Sequence, residues 1–177
     1  MWKTLSSKVI HQNKWYRVLH NKFETPNKKI GNYYIVKTNG SSIVIPIKSN
    51  KIILEKQYRY PLKKWAIELP CGSVKRGSNY LKTAKEELKE ELGYKAKSIK
   101  KIGLFAPYDG VSSEICVVFL ATDLKFIGEN KEETEWIKTF EIEIKKIYKM
   151  VEQGKIIDGM TLAALALVQK KLLKFIK

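Results

Sequence analysis

The stretch from Trp65 to Gly93 constrains the fold more than any other part of this chain. Trp65–Leu69 reads as a short strand stopped by Pro70, and a glycine-bearing loop follows, Cys71-Gly72-Ser73-Val74-Lys75-Arg76-Gly77. Behind the loop, Leu81, Ala84, Leu88 and Leu92 recur at spacings of three or four, which marks one apolar face of a helix over Asn79–Leu92. Ser78 is expected as the N-cap of that helix, and Gly93 stands where a C-terminal glycine belongs.

The remaining segments supply a sheet for the helix to cover. Tyr33–Lys37, Ser42–Ile47 and Ile52–Tyr60 are rich in β-branched and aromatic residues, with turn signals at Asn39-Gly40 and Ser49-Asn50 between them. Ile99–Phe105, Ile115–Ala121 and Glu135–Phe140 read as further strands. Two more helices are expected. Glu143–Gln153 repeats Ile144, Ile147, Tyr148 and Val151 and ends at Gly154, and Gly159–Ile176 closes in lysines that suit the negative end of a helix dipole. Many strands with few helices between them point to an α/β sandwich around a mixed sheet. Residues 1–30 show turns at Pro26-Asn27 and Gly31-Asn32 among polar residues with scattered aromatics, and no repeat or linker divides the chain.

At 177 residues the chain is long enough for one domain with a substantial core, or one domain plus a small appendage. No apolar run approaches the roughly 20 residues needed to cross a bilayer, so no membrane partner is expected. The first six residues lack a continuous apolar stretch, so a secretory leader is not expected. Cys71 and Cys116 have no metal-type spacing and read as free thiols of a cytoplasmic protein. The formal charge of +16 admits nucleic acid, an anionic membrane surface or a phosphorylated small substrate. The lysines are spread along the whole length, with no compact basic run longer than three residues and no arginine-rich arm, so they read as a solvated coat and nucleic acid is not expected as the partner.

Against that basic background the helix carries Glu86-Glu87-Leu88-Lys89-Glu90-Glu91. Glu87 and Glu91 lie one turn apart with Glu90 between the same two turns, so the three share a face about a quarter-turn from the apolar stripe. Like charges at that spacing destabilise an isolated helix by a few tenths of a kcal/mol per pair, and the dipole disfavours anions in its C-terminal half. A hard divalent cation would turn the repulsion into binding, whereas a solvated acidic face compensated by Lys82, Lys85 and Lys89 is the plainer alternative.

The loop and helix together resemble the Nudix box, Gly-x5-Glu-x7-Arg-Glu-U-x-Glu-Glu-x-Gly-U with U apolar. Starting at Gly72, the positions Glu87, Leu88, Glu90, Glu91, Gly93 and Tyr94 fall in register without a gap, while Ser78 stands for the first glutamate and Glu86 for the arginine. Gln57-Tyr58-Arg59-Tyr60-Pro61, Val151–Ile156 and Asp158-Gly159-Met160-Thr161-Leu162-Ala163-Ala164 are similar, in order, to the ADP-ribose pyrophosphatase branch of that family. The resemblance implies a Nudix-type α/β/α sandwich over residues 41–177, with residues 1–40 as a small N-terminal β subdomain that helps build a homodimer. It implies Mg²⁺ or Mn²⁺ held by Glu87 and Glu91, with Glu90 contributing and the Cys71 carbonyl completing the set. Arg59 would contact the substrate, and Trp15 or Tyr33 would stack on its base. Besides Glu90, the catalytic acids would be Glu133 or Glu135 in the acidic loop before the last strand, with Glu114 a weaker candidate.

The activity so implied is hydrolysis of a nucleoside diphosphate linked to another moiety, ADP-ribose above all. Ser78 and Glu86 keep open a weakened module that binds nucleotide or regulates a partner, and another nucleotide sugar remains an alternative substrate. With histidine only at positions 11 and 20, zinc and serine–histidine chemistry have little support, and no Walker-type phosphate loop is present.

Overall fold

The structure is a computed structural model that describes residues 1–128 and 136–176. The first three strands, β1 (Lys3–Gln12), β2 (Arg17–Glu24) and β3 (Ile30–Lys37), form a separate antiparallel sheet in chain order. It is tied to the rest of the molecule through β3. The Val36 amide donates to the Val111 carbonyl (2.8 Å), and Tyr33 Oη donates to the Gly110 carbonyl (2.7 Å).

The main sheet is seven-stranded and mixed. Its strands are β4 (Ser41–Lys48), β5 (Lys51–Arg59), β6 (Lys64–Glu68), β7 (Cys71–Ser73), β8 (Tyr94–Phe105), β9 (Cys116–Phe126) and β10 (Ile137–Glu143). The order along the sheet is β10-β5-β4-β9-β8, with β6 paired to β5 and β7 to β4, and β4 runs parallel to β9 while the other pairings are antiparallel.

Successive residues of a strand point to opposite faces, so β4 feeds two cores. Val44 joins Ile53, Val117, Phe119 and Ala121 beneath Ala84, Leu88 and Leu92, which places α1 (Tyr80–Glu90) and its C-terminal turn on one face. Ile43, Ile45 and Ile47 join Leu54 and Val118 beneath Ile144, Ile147, Leu165, Val168 and Leu172, which places α2 (Ile144–Glu152) and α3 (Gly159–Leu172) on the other. The result is the expected α/β/α sandwich around a mixed sheet, with the small N-terminal sheet beside it. No helix of the described residues is long and apolar enough to cross a membrane.

One local reading is corrected. The N-cap of α1 is Asn79, whose extended backbone (φ −137°, ψ 164°) lets its side chain accept from the Lys82 amide at 2.9 Å, and Ser78 lies outside the helix. Residues 3–24, where no individual strand is marked within the expected β subdomain, form two long ones.

Candidate active site

The site is built where the chain changes partners in the sheet. β6 pairs with β5 as far as Glu68, and from Cys71 the chain pairs with β4 instead. Leu69 and Pro70 make the transfer. The Pro70 carbonyl accepts from the Val44 amide (2.9 Å), and the buried Leu69 amide donates to Thr161 Oγ1 (2.9 Å). Asp158 caps α3 by accepting from the Thr161 amide at 2.7 Å, so the start of α3 latches the transfer from the far side of the sheet. The latch thus gives the buried Leu69 amide a partner at the break between strands.

Beyond it, Gly72 faces α1 at very close range. A Cβ at Gly72 would stand 1.8 Å from Glu87 Oε1 and 2.2 Å from its Cδ. The carboxylate thus occupies the space that any other residue would fill with a side chain, which is the physical reason for glycine here. Glu87, Glu90 and Glu91 line a cleft of about 560 Å³ together with Cys71, Gly72, Arg59, Trp15 and Arg76. Glu91 is 6% exposed while Glu87 and Glu90 are half-buried, so the group runs from the floor of the cleft toward its mouth.

Arg59 enters from β5. Its Nε donates to both oxygens of Glu68 (2.9 and 3.1 Å), and Nη2 also binds Glu68 Oε2. Glu68 is 3% exposed, so a buried carboxylate fixes one edge of the guanidinium, and that pairing raises the Arg59 pKa further above its ordinary value. The anionic partner that an arginine in an apolar strand requires is therefore supplied within the chain. The Cys71 thiol sits against Cys116, and that contact, together with burial, keeps it protonated. At neutral pH the Cys71 side chain is therefore a thiol rather than a thiolate.

Of the residues singled out from sequence, Glu87, Glu90, Glu91, Cys71, Arg59 and Trp15 are brought to one cleft. Tyr33 is not among its lining residues, because its hydroxyl is bonded to Gly110 and its ring tilts against Phe23. Glu133 and Glu135 lie outside the described residues. Glu114 is close by, accepting from Ser41 Oγ at 2.6 Å in a smaller adjoining cavity. Glu86 sits on the outer side of α1, 3.9 Å from Lys82 Nζ. Ser78 Oγ is buried with no hydrogen-bond partner among the described residues.

Sequence reading missed Glu68 and Thr161. A glutamate inside the apolar run Trp65-Ala66-Ile67-Glu68-Leu69 was the available signal for the first. The second depends on a contact 92 residues away in the chain and had no local signal.

The donor set suits a hard divalent cation. It would comprise the carboxylates of Glu87, Glu90 and Glu91 and the Cys71 carbonyl, all oxygen, and the glycine cradle brings Glu87 against the loop that carries Cys71. Among the described residues, no three acidic, histidine or cysteine side chains are already grouped to hold an ion.

A glycine loop that receives the Glu87 carboxylate of an acidic helix, on a mixed sheet layered by helices, defines a Nudix-type hydrolase. Residues 37–157 match the NUDIX domain family model and residues 2–36 that of the nucleoside diphosphate sugar hydrolase N-terminal domain, and the chain belongs to the Nudix family. Members of this family generally use divalent cations. The chain is 34% identical over 172 residues to an ADP-ribose pyrophosphatase of Bacillus subtilis (strain 168), covering 96% of this chain and 93% of that one. It is 29% identical over 170 residues to a methanol dehydrogenase activator of Bacillus methanolicus, covering 94% and 92%. A crystal structure of an ADP compounds hydrolase shares the fold at a TM-score of 0.87 and 19% identity, covering 98% of this chain and 95% of that one.

Proposed function

We propose that this chain hydrolyses nucleoside diphosphates linked to another moiety, with ADP-ribose cleaved to AMP and ribose 5-phosphate. The observation that carries the reading is the seating of Glu87 against Gly72 in a cleft shared with Glu90, Glu91 and Arg59. The similarity to an ADP-ribose pyrophosphatase over nearly the whole chain supports it. One water adds across the P–O–P linkage, its oxygen joining one phosphorus while the other keeps the bridging oxygen, so two phosphomonoesters result.

Glu87 and Glu91 would hold Mg²⁺ or Mn²⁺, with Glu90 and the Cys71 carbonyl beside them, and such an ion supplies counter-charge for the diphosphate and lowers the pKa of water. Arg59, anchored by Glu68, keeps its Nη1 edge for a phosphate oxygen. Trp15, 66% exposed at the cleft mouth, offers an indole face to the base. Glu90 would be the catalytic acid of the cleft, with Glu133 and Glu135 the further candidates for that role.

Residues 1–40 would form the dimerisation element of a homodimer and residues 41–177 the hydrolase domain of a cytoplasmic enzyme. All ten residues of β1 are exposed, and Trp2, Val9, Ile10, Ile30 and Tyr34 leave apolar surface uncovered on the first sheet, which suits burial by a second copy.

The test is a panel of nucleoside-diphosphate compounds incubated with Mg²⁺, Mn²⁺ or chelator. AMP release from ADP-ribose that needs the cation and is lost in Glu91→Gln is the expected result. Preference for nucleoside triphosphates or for other nucleotide sugars would overturn the substrate and spare the fold. Nucleotide binding without turnover would favour a weakened module, the reading that Ser78 and the outward Glu86–Lys82 pair support.

A further inference from the structure

Next to the acidic cleft lies a second cavity of about 380 Å³, lined by Lys14, Trp15, Arg17, Lys37 and Arg76 among others. Lys14, Trp15, Asn39 and Arg76 line both spaces, so the two are continuous. Every charged residue lining the second one is a cation, and among the described residues none of the four forms a salt bridge.

Two observations separate this cluster from the general lysine coat. The chain has only three arginines against a large excess of lysine, and all three line this continuous space: Arg59 in the acidic cleft, Arg17 in the basic cavity, and Arg76 in both. A chain that uses lysine for nearly every other cation has kept arginine where a forked donor can grip phosphate. The second observation is the strand register. Arg17 on β2 is the direct cross-strand partner of Lys37 on β3, so two positive side chains leave the same face of the sheet side by side. Like charges placed directly opposite destabilise an antiparallel pair, and a bound anion reverses the sign of that interaction.

We propose that this cavity binds a phosphate monoester on the nucleoside side of the substrate. The preferred compounds would then be adenosine diphosphates that carry a further phosphate on the adenosine ribose. The inference rests on reading the acidic cleft as the site of the scissile diphosphate and Trp15 as the base platform. From that geometry, Arg17 and Lys37 lie beyond the base platform and recognise charge that ADP-ribose itself lacks.

The test compares kcat/KM for ADP-ribose with its 2′-phosphorylated and 3′-phosphorylated counterparts, and separately measures binding of adenosine 2′,5′- and 3′,5′-bisphosphate against AMP in chelator. One phosphorylated isomer should be favoured about tenfold or more, and the favoured isomer tells which ribose position is read. Arg17→Ala with Lys37→Ala should bring that ratio close to one while leaving ADP-ribose turnover in place. The single Arg17→Lys variant should keep part of the preference. Equal kcat/KM for all three compounds, or a preference that survives the double variant, overturns the inference. Bisphosphate binding that needs Arg17 and Lys37 in a protein inert toward ADP-ribose would instead leave the cavity assignment standing and reject the proposed reaction.

Discussion

Replacing Gly72 by alanine tests the centre of the site with one methyl group. The new Cβ would lie 1.8 Å from Glu87 Oε1, whereas ordinary contact begins at 3.4 Å, so the carboxylate must retreat by about 1.6 Å. The intruding neighbour is the tip of a flexible side chain, and the Gly72 backbone is not in the left-handed region, so the fold should absorb the change with little loss of Tm. The site should not. Misplacing a catalytic group by about 1 Å costs on the order of 100-fold, or about 2.7 kcal/mol of barrier. The expected outcome is a fall in kcat/KM for ADP-ribose of that order, with Mn²⁺ affinity weakened about tenfold or more by titration. Gly110→Ala serves as the control, since nothing lies within 4 Å of a Cβ there. If Gly72→Ala retained wild-type kcat/KM and Mn²⁺ affinity, the claim that Gly72 exists to seat Glu87 would be wrong.

Three other outcomes follow from the geometry. Asn79→Ala should lower stability by about 1 kcal/mol in urea unfolding by removing the α1 cap, whereas Ser78→Ala should stay within about 0.5 kcal/mol. Thr161→Val should cost about 1–3 kcal/mol and speed hydrogen exchange at the Leu69 amide, and Thr161→Ser should restore both, because only the hydroxyl accepts that donor. Glu141 is bonded by Lys48 (2.7 Å) and Lys51 (3.3 Å), which lower its pKa below the ordinary 4.5. A depressed carboxylate stabilises the fold above its ordinary pKa and loses that contribution as pH falls through the folded value. The small Tm deficit of Glu141→Gln at pH 7 should therefore vanish under acid conditions.

Legibility in the sequence followed burial. The three helices were found to within a few residues because each has an apolar stripe against one core and a stop signal behind it, such as Gly93 or Gly154. β4, β5 and β9 sit in the middle of the sheet and read as apolar runs. β1 is the opposite case: all ten of its residues are exposed, and irregularities at Thr4/Ser6 and Val9/His11 break its alternation. What makes Lys-Thr-Leu-Ser-Ser-Lys-Val-Ile-His-Gln a strand is its ladder to β2, which leaves no period of two in the side chains to detect. β8 was half visible, because the alternating exposed lysines of Tyr94–Ser98 carry little apolar signal on their partners.

The same division explains the site. Glu87, Glu90 and Glu91 share a face by helix geometry alone, so a local rule placed them together. The Arg59–Glu68 pair, the Thr161 latch and the Arg17–Lys37 juxtaposition each require knowing which strands meet and in what register. Composition misleads in a related way. A charge of +16 spread over lysines looks like an undifferentiated coat, yet the chain's few arginines are concentrated around one continuous space, with an acidic floor at one end and, at the other, cations that form no salt bridge among the described residues. That polarity is what an extended anionic substrate needs. Carboxylates can face a diphosphate only through a cation held between them, and the far end must then supply positive charge from the protein itself. A solvated lysine coat would scatter its arginines without regard to that axis.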